Sequence, residues 1–467
     1  MQNEVGNSYV FRLTLVATLG GFLFGYDTAV VSGAINSIRD FLVIPFVGNS
    51  QTGISSITGF TVSSALIGCI IGGAAAGIIS LKAGRKGGMM IAGILFLISG
   101  IGAGFPEIMS FLGMDALVSF IFYRIVGGVG IGLASMLSPV YIAEIAPAEI
   151  RGKLVSWNQF AIVSGILFVY FVNWFIARHG DEHWNMTTGW RYMFISGSVP
   201  SLLFIFLLLF IPETPRFLVL RKKTDRALKV LGKTVGDKAQ ATLEEISSTL
   251  VEKSAPWLSF GTGVIVTGIL LAAFQQFIGI NVVLYYAPKI FQNMGTKLDI
   301  SLLQTVLVGA VNLIFTVIAI FTVDRLGRKP LLISGGLIMA FAMAAIGFTF
   351  YTGRMGMTAL VFILLYIAGF AMSWGPVLWV LLSEIFPNSI RSAMSLATAT
   401  VWITDLIISW SFPVLDDNAW LTGKFNHGFA YWIYALICII AVVFVWKKVP
   451  ETKGRTLEQI EKLVSKR

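Results

Sequence analysis

The sequence predicts an all-α membrane protein of twelve transmembrane helices, arranged as two halves of six. Three observations carry that prediction. The first is composition. Of 467 residues, 56% are hydrophobic and 12% charged, where an average soluble domain has about 25% charged. A soluble chain of this length could not cover its surface with so few charges, and the same numbers exclude a disordered chain. The second is a series of twelve apolar segments, each near the roughly 20 residues that cross a bilayer. The third is an internal repeat with an offset near 240 residues.

In chain order the segments lie near 10–33, 57–80, 88–105, 116–142, 154–176, 191–211, 262–288, 302–322, 331–351, 358–383, 392–413 and 428–446. They are too long and too evenly apolar for barrel strands, so only helices fit. The first begins near Val10, holds Asp27 and runs to about Ser32. That reads as a spanning helix and not as the short core of a cleavable signal peptide. Between the sixth and seventh segments the chain turns polar and rich in Lys, Arg and Glu. Residues 225–231 read as the start of an amphipathic helix, and a second helix is expected over 241–252. The expected organisation is an N-terminal half over 1–211, a cytosolic helical linker over 212–260, a C-terminal half over 261–448 and a tail over 449–467.

Lysine and arginine set the orientation. If the termini share one side, 26 of the 34 fall on that side and 7 on the other, while Arg124 alone lies within a span. The positive-inside rule then places both termini and the linker in the cytoplasm. The net charge of +10 is thereby explained without nucleic acid. Cys69 and Cys438 sit inside apolar segments and imply no disulfide framework.

Three motifs recur in order. Glu144-Ile-Ala-Pro-Ala-Glu-Ile-Arg151 after the fourth segment matches Glu384-Ile-Phe-Pro-Asn-Ser-Ile-Arg391 after the tenth. Gly84-Arg85-Lys86 matches Gly327-Arg328-Lys329, and Pro212-Glu213-Thr214 matches Pro450-Glu451-Thr452. A duplicated six-helix unit follows, and such chains place a ligand between the halves near mid-membrane. Glu144 with Arg151, and Glu384 with Arg391, can bridge neighbouring helices, and Asp324, Arg325 and Arg328 can join the second-half network. Read singly, each motif is a set of solvated, topology-setting charges. Repeated in both halves, they read as a conformational latch that opens when the chain faces inward.

Other signals carry less. His179 and His183 have i,i+4 spacing in a loop without a clear third ligand, so no metal is expected. Gly128, Gly130 and Gly132 lie within a helix with no strand before them, so no dinucleotide site and no cofactor follows. Gly68 with Gly72, and Gly73 with Gly77, have the spacing that permits close helix packing.

The motifs together resemble the sugar porter family of the major facilitator superfamily. The residues that carry the resemblance are Gly25-Tyr26-Asp27, Tyr123-Arg124, the two Glu/Arg motifs, Pro212-Glu213-Thr214-Pro215-Arg216, Gln275-Gln276-Phe-Ile-Gly-Ile-Asn281, Asp324-Arg325-Leu-Gly-Arg328-Lys329 and Pro450-Glu451-Thr452-Lys453-Gly454. Stretches 15–31, 127–160 and 275–288 are most similar to the branch that carries D-xylose with a proton. The resemblance implies the 6+6 major facilitator fold with cytosolic linker helices and alternating access to a central sugar site.

A sugar site needs amides, hydroxyls and aromatic platforms and no net charge. Adjacent glutamines in an apolar helix therefore stand out, because unpaired amides are costly there. The resemblance assigns sugar hydroxyls to Gln275, Gln276 and Asn281, with Tyr285 near the outer gate. It matches Gln159 and Asn312 to further polar contacts, Trp379 (after Gly375) and Trp402 to aromatic platforms, and Phe24 to the site wall. Three positions depart from the xylose pattern: Val401 and Ile166 replace amides and Gly197 replaces a carboxylate. In the first half Leu81 replaces the aspartate of the Asp-Arg-x-Gly-Arg motif.

Asp27 and Arg124 are each expensive alone in a spanning helix. The resemblance makes the first and fourth helices neighbours, so the two can pair and couple a proton. Asp405 either titrates in support or is a polar residue facing the sugar cavity. The expected protein is not an enzyme. It is a monomeric, proton-coupled importer of D-xylose or a related pentose or hexose, in a bacterial inner membrane, whose partners are sugar, proton and lipid. A passive sugar uniporter is the alternative, and a transporter-like sensor is a third reading.

Overall fold

The computed structural model describes residues 2–147, 150–249, 262–354, 356–386 and 394–453. Arg391, residues 250–260 of the expected linker and 454–467 of the tail lie outside these residues, as does the side chain of Asp324. Among the described residues the chain is helical, without strands. The first half comprises α1 (Gln2–Val30), α2 (Gln51–Gly104), α3 (Ala116–Ile145), α4 (Arg151–Ala177), α5 (Trp190–Ser196) and α6 (Ser198–Phe210). Three short helices follow: α7 (Pro215–Leu220), α8 (Thr224–Thr234) and α9 (Ala239–Thr249). The second half comprises α10 (Thr262–Phe277), α11 (Ile280–Asn293), α12 (Leu298–Leu326), α13 (Arg328–Tyr351), α14 (Met357–Met372), α15 (Pro376–Ile385), α16 (Met394–Asp416), α17 (Ala419–Phe425) and α18 (Phe429–Lys448).

Among the described residues eleven helical stretches are long and apolar enough to cross a membrane. One of them, α2, has 54 residues and leaves helical geometry at Gly84 (φ 84°, ψ 177°). It is two spans joined by a one-residue turn, which makes twelve. The first span is longer than its apolar segment. Beyond Val30 it continues through a 3-10 turn at Val31–Ala34, a helical turn at Ile35–Ile38 and a π turn at Arg39–Val43. Large apolar side chains such as Phe175, Val199, Phe210 and Phe321 point outward, as lipid-facing residues do.

The halves meet where α2 packs on α16 and α4 packs on α12. Within the first half, α2 and α3 cross closely. A Cβ at Gly68 or Gly72 would overlap backbone of Ile125 or Val129, and one at Gly128 or Gly132 would overlap Ala65 or Cys69. The glycines thus let two backbones touch. Gly73 and Gly77 have open space beside them and do not serve this contact. Cys69 and Cys438 are buried free thiols.

The turn at Gly84 recurs at Gly327 (φ 92°, ψ 157°). This backbone region is essentially restricted to glycine. At both turns a glutamate closes in. Glu213 accepts the N–H groups of Arg85 (3.1 Å) and Lys86 (3.1 Å), and Glu451 accepts those of Arg328 (3.1 Å) and Lys329 (3.0 Å). Each carboxylate thereby caps the start of the helix after the turn, where free N–H groups and the helix dipole favour an anion. Burial pushes the Glu213 carboxyl above its ordinary value, and the N–H groups of Thr214, Lys86 and Arg85 oppose that shift.

A Cβ at residue 84 would overlap Glu213 Oε2 and crowd Phe217. Gly84→Ala is therefore expected to destabilise the chain by about 1–3 kcal/mol from backbone strain alone. Gly73→Ala, with nothing within 4 Å, is the control. Thermal unfolding in detergent should show a lower midpoint for the first variant and an unchanged one for the second.

Candidate functional site

The site begins with two interruptions in the second half. The seventh span stops at Phe277 and restarts at Ile280, with Gly279 left-handed (φ 90°) against the ring of Tyr434. The tenth stops at Met372 and restarts at Pro376. Each break frees backbone carbonyls in a place without water, and each is answered by a side chain. Tyr366 donates its hydroxyl to the Ile278 carbonyl at 2.9 Å. Gln275 donates its amide to the carbonyls of Trp374 (2.9 Å) and Gly375 (3.4 Å). Satisfying such groups inside the protein is what allows a broken helix at membrane depth.

The break in the seventh span also swings Asn281 back toward Gln276. The Asn281 amide donates to Gln276 Oε1 at 2.8 Å and to Asp405 Oδ2 at 2.7 Å. Tyr285 donates to the same Asp405 oxygen at 3.1 Å, and Ser409 donates to Oδ1 at 2.8 Å. Gln275, Gln276, Asn281, Tyr285 and Gly375 are thus gathered, with Asp405 as the acceptor between α11 and α16. The sequence offered Asp405 as a titrating group or as a polar residue facing the sugar cavity; its bonds to Asn281, Tyr285 and Ser409 were not legible there.

Two aromatic residues meet across the halves. Phe24 on α1 lies 5.6 Å from Trp402 on α16, ring centre to ring centre. Trp402 is buried, and among the described residues its indole N–H has no hydrogen-bond partner. An unpaired buried donor is uncommon and points to a missing acceptor. Gln159 on α4 and Trp379 on α15 are half-buried and Asn312 on α12 is buried. Among the described residues, none of the three is hydrogen-bonded into the network.

In the first half Arg124 donates to Asp27 Oδ2 at 3.0 Å and, through both terminal nitrogens, to the Asp27 carbonyl at 3.3 Å. The guanidinium is 1% exposed and lies 5.5 Å from the Phe194 ring. Its Nε has no partner. A small cavity beside Asp27 is lined by Tyr26, Phe96, Gly100, Phe194, Gly197 and Ser201.

At the end of the molecule with the repeated turns, the three motifs of each half converge. Glu144 is held by Arg85 (2.8 Å) and Thr214 (2.7 Å), and Glu384 by Arg328 (2.8 Å) and Thr452 (2.6 Å). The partner of Glu144 is therefore Arg85 and not Arg151, which donates to the Ala146 carbonyl at 3.4 Å. Arg325 is exposed, and its carbonyl accepts Lys453 Nζ. These pairs all lie within one half.

The opposite end is closed across the halves. Ser55 donates to Asp417 at 2.8 Å, Asn36 to Gln292 at 2.5 Å, Tyr170 to the Leu284 carbonyl at 2.7 Å and Trp410 to the Ser56 carbonyl at 3.0 Å. Asp417 also holds Lys289 at 2.9 Å. His427 lies 3.0 Å from Asp416, which raises the pKa of the imidazole above its ordinary value.

Comparison with known proteins agrees with this architecture. The family model described as sugar (and other) transporter matches residues 13–464. The D-xylose-proton symporter of Escherichia coli K12 is 52% identical over 478 aligned positions, covering 99% of this chain and 97% of that protein. The E. coli xylose transporter in an inward-open conformation superposes with a TM-score of 0.88 at 51% identity, covering 97% of this chain and 100% of that one. The proton:xylose symporter bound to 6-bromo-6-deoxy-D-glucose gives 0.83 at 52% identity, covering 98% and 99%. The chain is a twelve-helix membrane protein of the major facilitator type and belongs to the sugar transporter family.

Proposed function

We propose that this chain imports a monosaccharide, D-xylose or a related pentose or hexose, together with a proton. What carries the reading is one juxtaposition. The first half holds an Asp27–Arg124 pair with a buried guanidinium, the second half holds an amide-lined helix break, and Arg124 is in electrostatic reach of Tyr285 beside that break, in a chain 52% identical to a D-xylose-proton symporter. Residues 1–211 and 261–448 act as two rocking halves, 212–260 as the linker between them and 449–467 as a tail. Both termini lie in the cytoplasm of a bacterial inner membrane, and the unit is a monomer.

The sugar binds between the halves. Gln276, Asn281 and Tyr285 offer it the amides and hydroxyl now engaged with one another, and Gln275 sits at the tenth-span break. Gln159, Asn312 and Trp379 line the remaining walls, and Phe24 and Trp402 close over the ring, with the free Trp402 N–H as a donor to a hydroxyl. Val401 and Ile166, where amides are expected, leave the pocket less demanding of one hydroxyl pattern.

Asp27 couples the proton. Protonation removes the charge that Arg124 holds, so the guanidinium is released and the loaded carrier can close. The greater likeness to the inward-open relative fits a state closed at the end away from the repeated motifs. In that state Glu144, Arg151, Arg325, Arg328 and Glu384 pair within their own halves. On outward opening this charged end closes, and these groups with Asp324 and Arg391 bridge the halves as a latch.

Two outcomes are expected. Asp27→Asn should abolish sugar accumulation driven by a proton gradient while retaining counterflow exchange in proteoliposomes; normal accumulation would sink the proton assignment. Gln276→Ala should weaken sugar binding by about 10- to 100-fold, the loss of one or two hydrogen bonds in a buried site. Titration calorimetry with a pentose and hexose panel would measure it, and unchanged affinity would remove Gln276 from the site.

A further inference from the structure

We propose that Asp405 is a second proton-binding site, one whose proton is taken up as the sugar binds and given back as it leaves. The inference rests on the sugar-site reading above. Asp405 is fully buried on α16, and among the described residues no Lys, Arg or His pairs with it. An ionisable group at that depth without a counter-ion is expensive and marks function. Its charge is carried by three donors instead: Asn281 and Tyr285 on one oxygen and Ser409 on the other.

Two of those three donors belong to the sugar site, and they have no spare capacity. Tyr285 has one hydroxyl proton, and it goes to Asp405. Asn281 has two amide protons, and they go to Asp405 and Gln276. A sugar that takes the Asn281 amide and the Tyr285 hydroxyl must draw them off the carboxylate. Ser409 alone is then left to hold a full charge in a dry site, and neutralisation is the cheaper state. A proton from solvent converts the carboxylate to the acid, whose new O–H donates to a sugar oxygen. When the sugar leaves, Asn281 and Tyr285 return and the proton departs to solvent.

Among the described residues no side-chain donor beyond these three is bonded to Asp405. Tyr285 from α11 touches Asp405, and in electrostatic reach are Cys69 from α2 and Tyr286 from α11, with Tyr434 from α18 in reach of Tyr286. From α10 the neighbour of this network is the neutral Gln276. Arg124, the cation in electrostatic reach of Tyr285, is already bound to Asp27. Asp27 answers to the release of Arg124, whereas Asp405 answers to the sugar.

Linkage fixes the sign. Sugar binding strengthens proton binding, so protons must strengthen sugar binding equally. Sugar affinity then rises as pH falls through the proton affinity of the loaded site and levels off below that of the empty one. One linked proton gives at most about tenfold per pH unit in that window.

The test is calorimetric titration of the purified full chain in detergent with D-xylose and a panel of pentoses and hexoses. Buffers of different ionisation enthalpy report protons taken up per sugar bound. The wild type should take up protons and bind more tightly as pH falls. Asp27→Asn should keep the share due to Asp405, and Asp405→Asn should lose that share. Tyr285→Phe keeps the carboxylate but removes one donor, so the empty site holds its proton more strongly. The window then narrows from its acid side and the total tightening shrinks. Wild-type uptake in Asp405→Asn, or loss of all uptake in Asp27→Asn, overturns the proposal. Should Asp405→Asn fail to fold, an unchanged window in Tyr285→Phe overturns it. Sugar binding without proton uptake in the wild type defeats this inference alone, whereas no binding by any sugar defeats the sugar-site reading beneath it.

Discussion

One constraint governs this molecule: inside a bilayer, a polar group has to find its partner within the protein. The two broken spans are where that constraint is most severe. At Ile278–Gly279 and at Ser373–Gly375 the helices give up internal hydrogen bonds, and Tyr366 and Gln275 supply replacements. The Asn281 amide and the Tyr285 hydroxyl then bind Gln276 and Asp405, joining the four in one chain of donors and acceptors. An empty site of this kind is not a set of waiting donors. A sugar bound there as proposed would exchange one set of partners for another, so its net gain per hydrogen bond would be only about 0.5–1.5 kcal/mol. Specificity comes from the penalty of leaving any member unpaired. Among the described residues the buried indole N–H of Trp402 has no partner, so a hydrogen bond from it to a sugar in the proposed site would displace nothing.

A related need, that the free N–H groups at a helix start be capped, explains why three motifs recur together. Separated by tens of residues in each half, they meet as one device. Glycine permits the turn, the glutamate of Pro-Glu-Thr caps the next helix, and a second glutamate takes the arginine and the threonine that flank the turn. Leu81 stands where an acid is expected in the first copy, yet that copy closes in the same way, because Glu144, Arg85 and Glu213 are all present. Arg221 covers the gap, donating to the Leu81 and Lys82 carbonyls.

Most of the fold was legible in the sequence because a bilayer admits few solutions. Segment length, the charge bias and the repeat pointed to two sets of six helices, and the Asp27–Arg124 pair followed from the cost of leaving either alone together with the resemblance that makes the first and fourth helices neighbours. The helix breaks were not legible. Gly279 and Gly375 lie in apolar runs whose hydropathy reads as continuous, and hydropathy carries no information on φ. The partner of Glu144 was missed because Arg151 is near in sequence, whereas Arg85 is brought close only by the packing of α2 on α3. Asp405 stood out as a charge, but its neighbours Asn281 and Tyr285 are more than a hundred residues away and meet it only across the α11–α16 contact. Gly73 and Gly77 show the opposite error: a spacing that permits close packing does not require it.

The two ends of the molecule differ in a way that bears on how it moves. At the motif end the charged clusters lie within a half in this state, so they stiffen each half. At the opposite end four hydrogen bonds, from Ser55, Asn36, Tyr170 and Trp410, cross between the halves. At about 1 kcal/mol each, those crossings together hold this state by roughly 4 kcal/mol. Reversing a 99:1 preference takes about 5.5 kcal/mol of differential binding. The closure is therefore strong enough to define a state and weak enough for a sugar, a proton or the bridging of charges at the far end to overturn. A carrier needs that balance, because a closure much stronger than its cargo could oppose would never reopen.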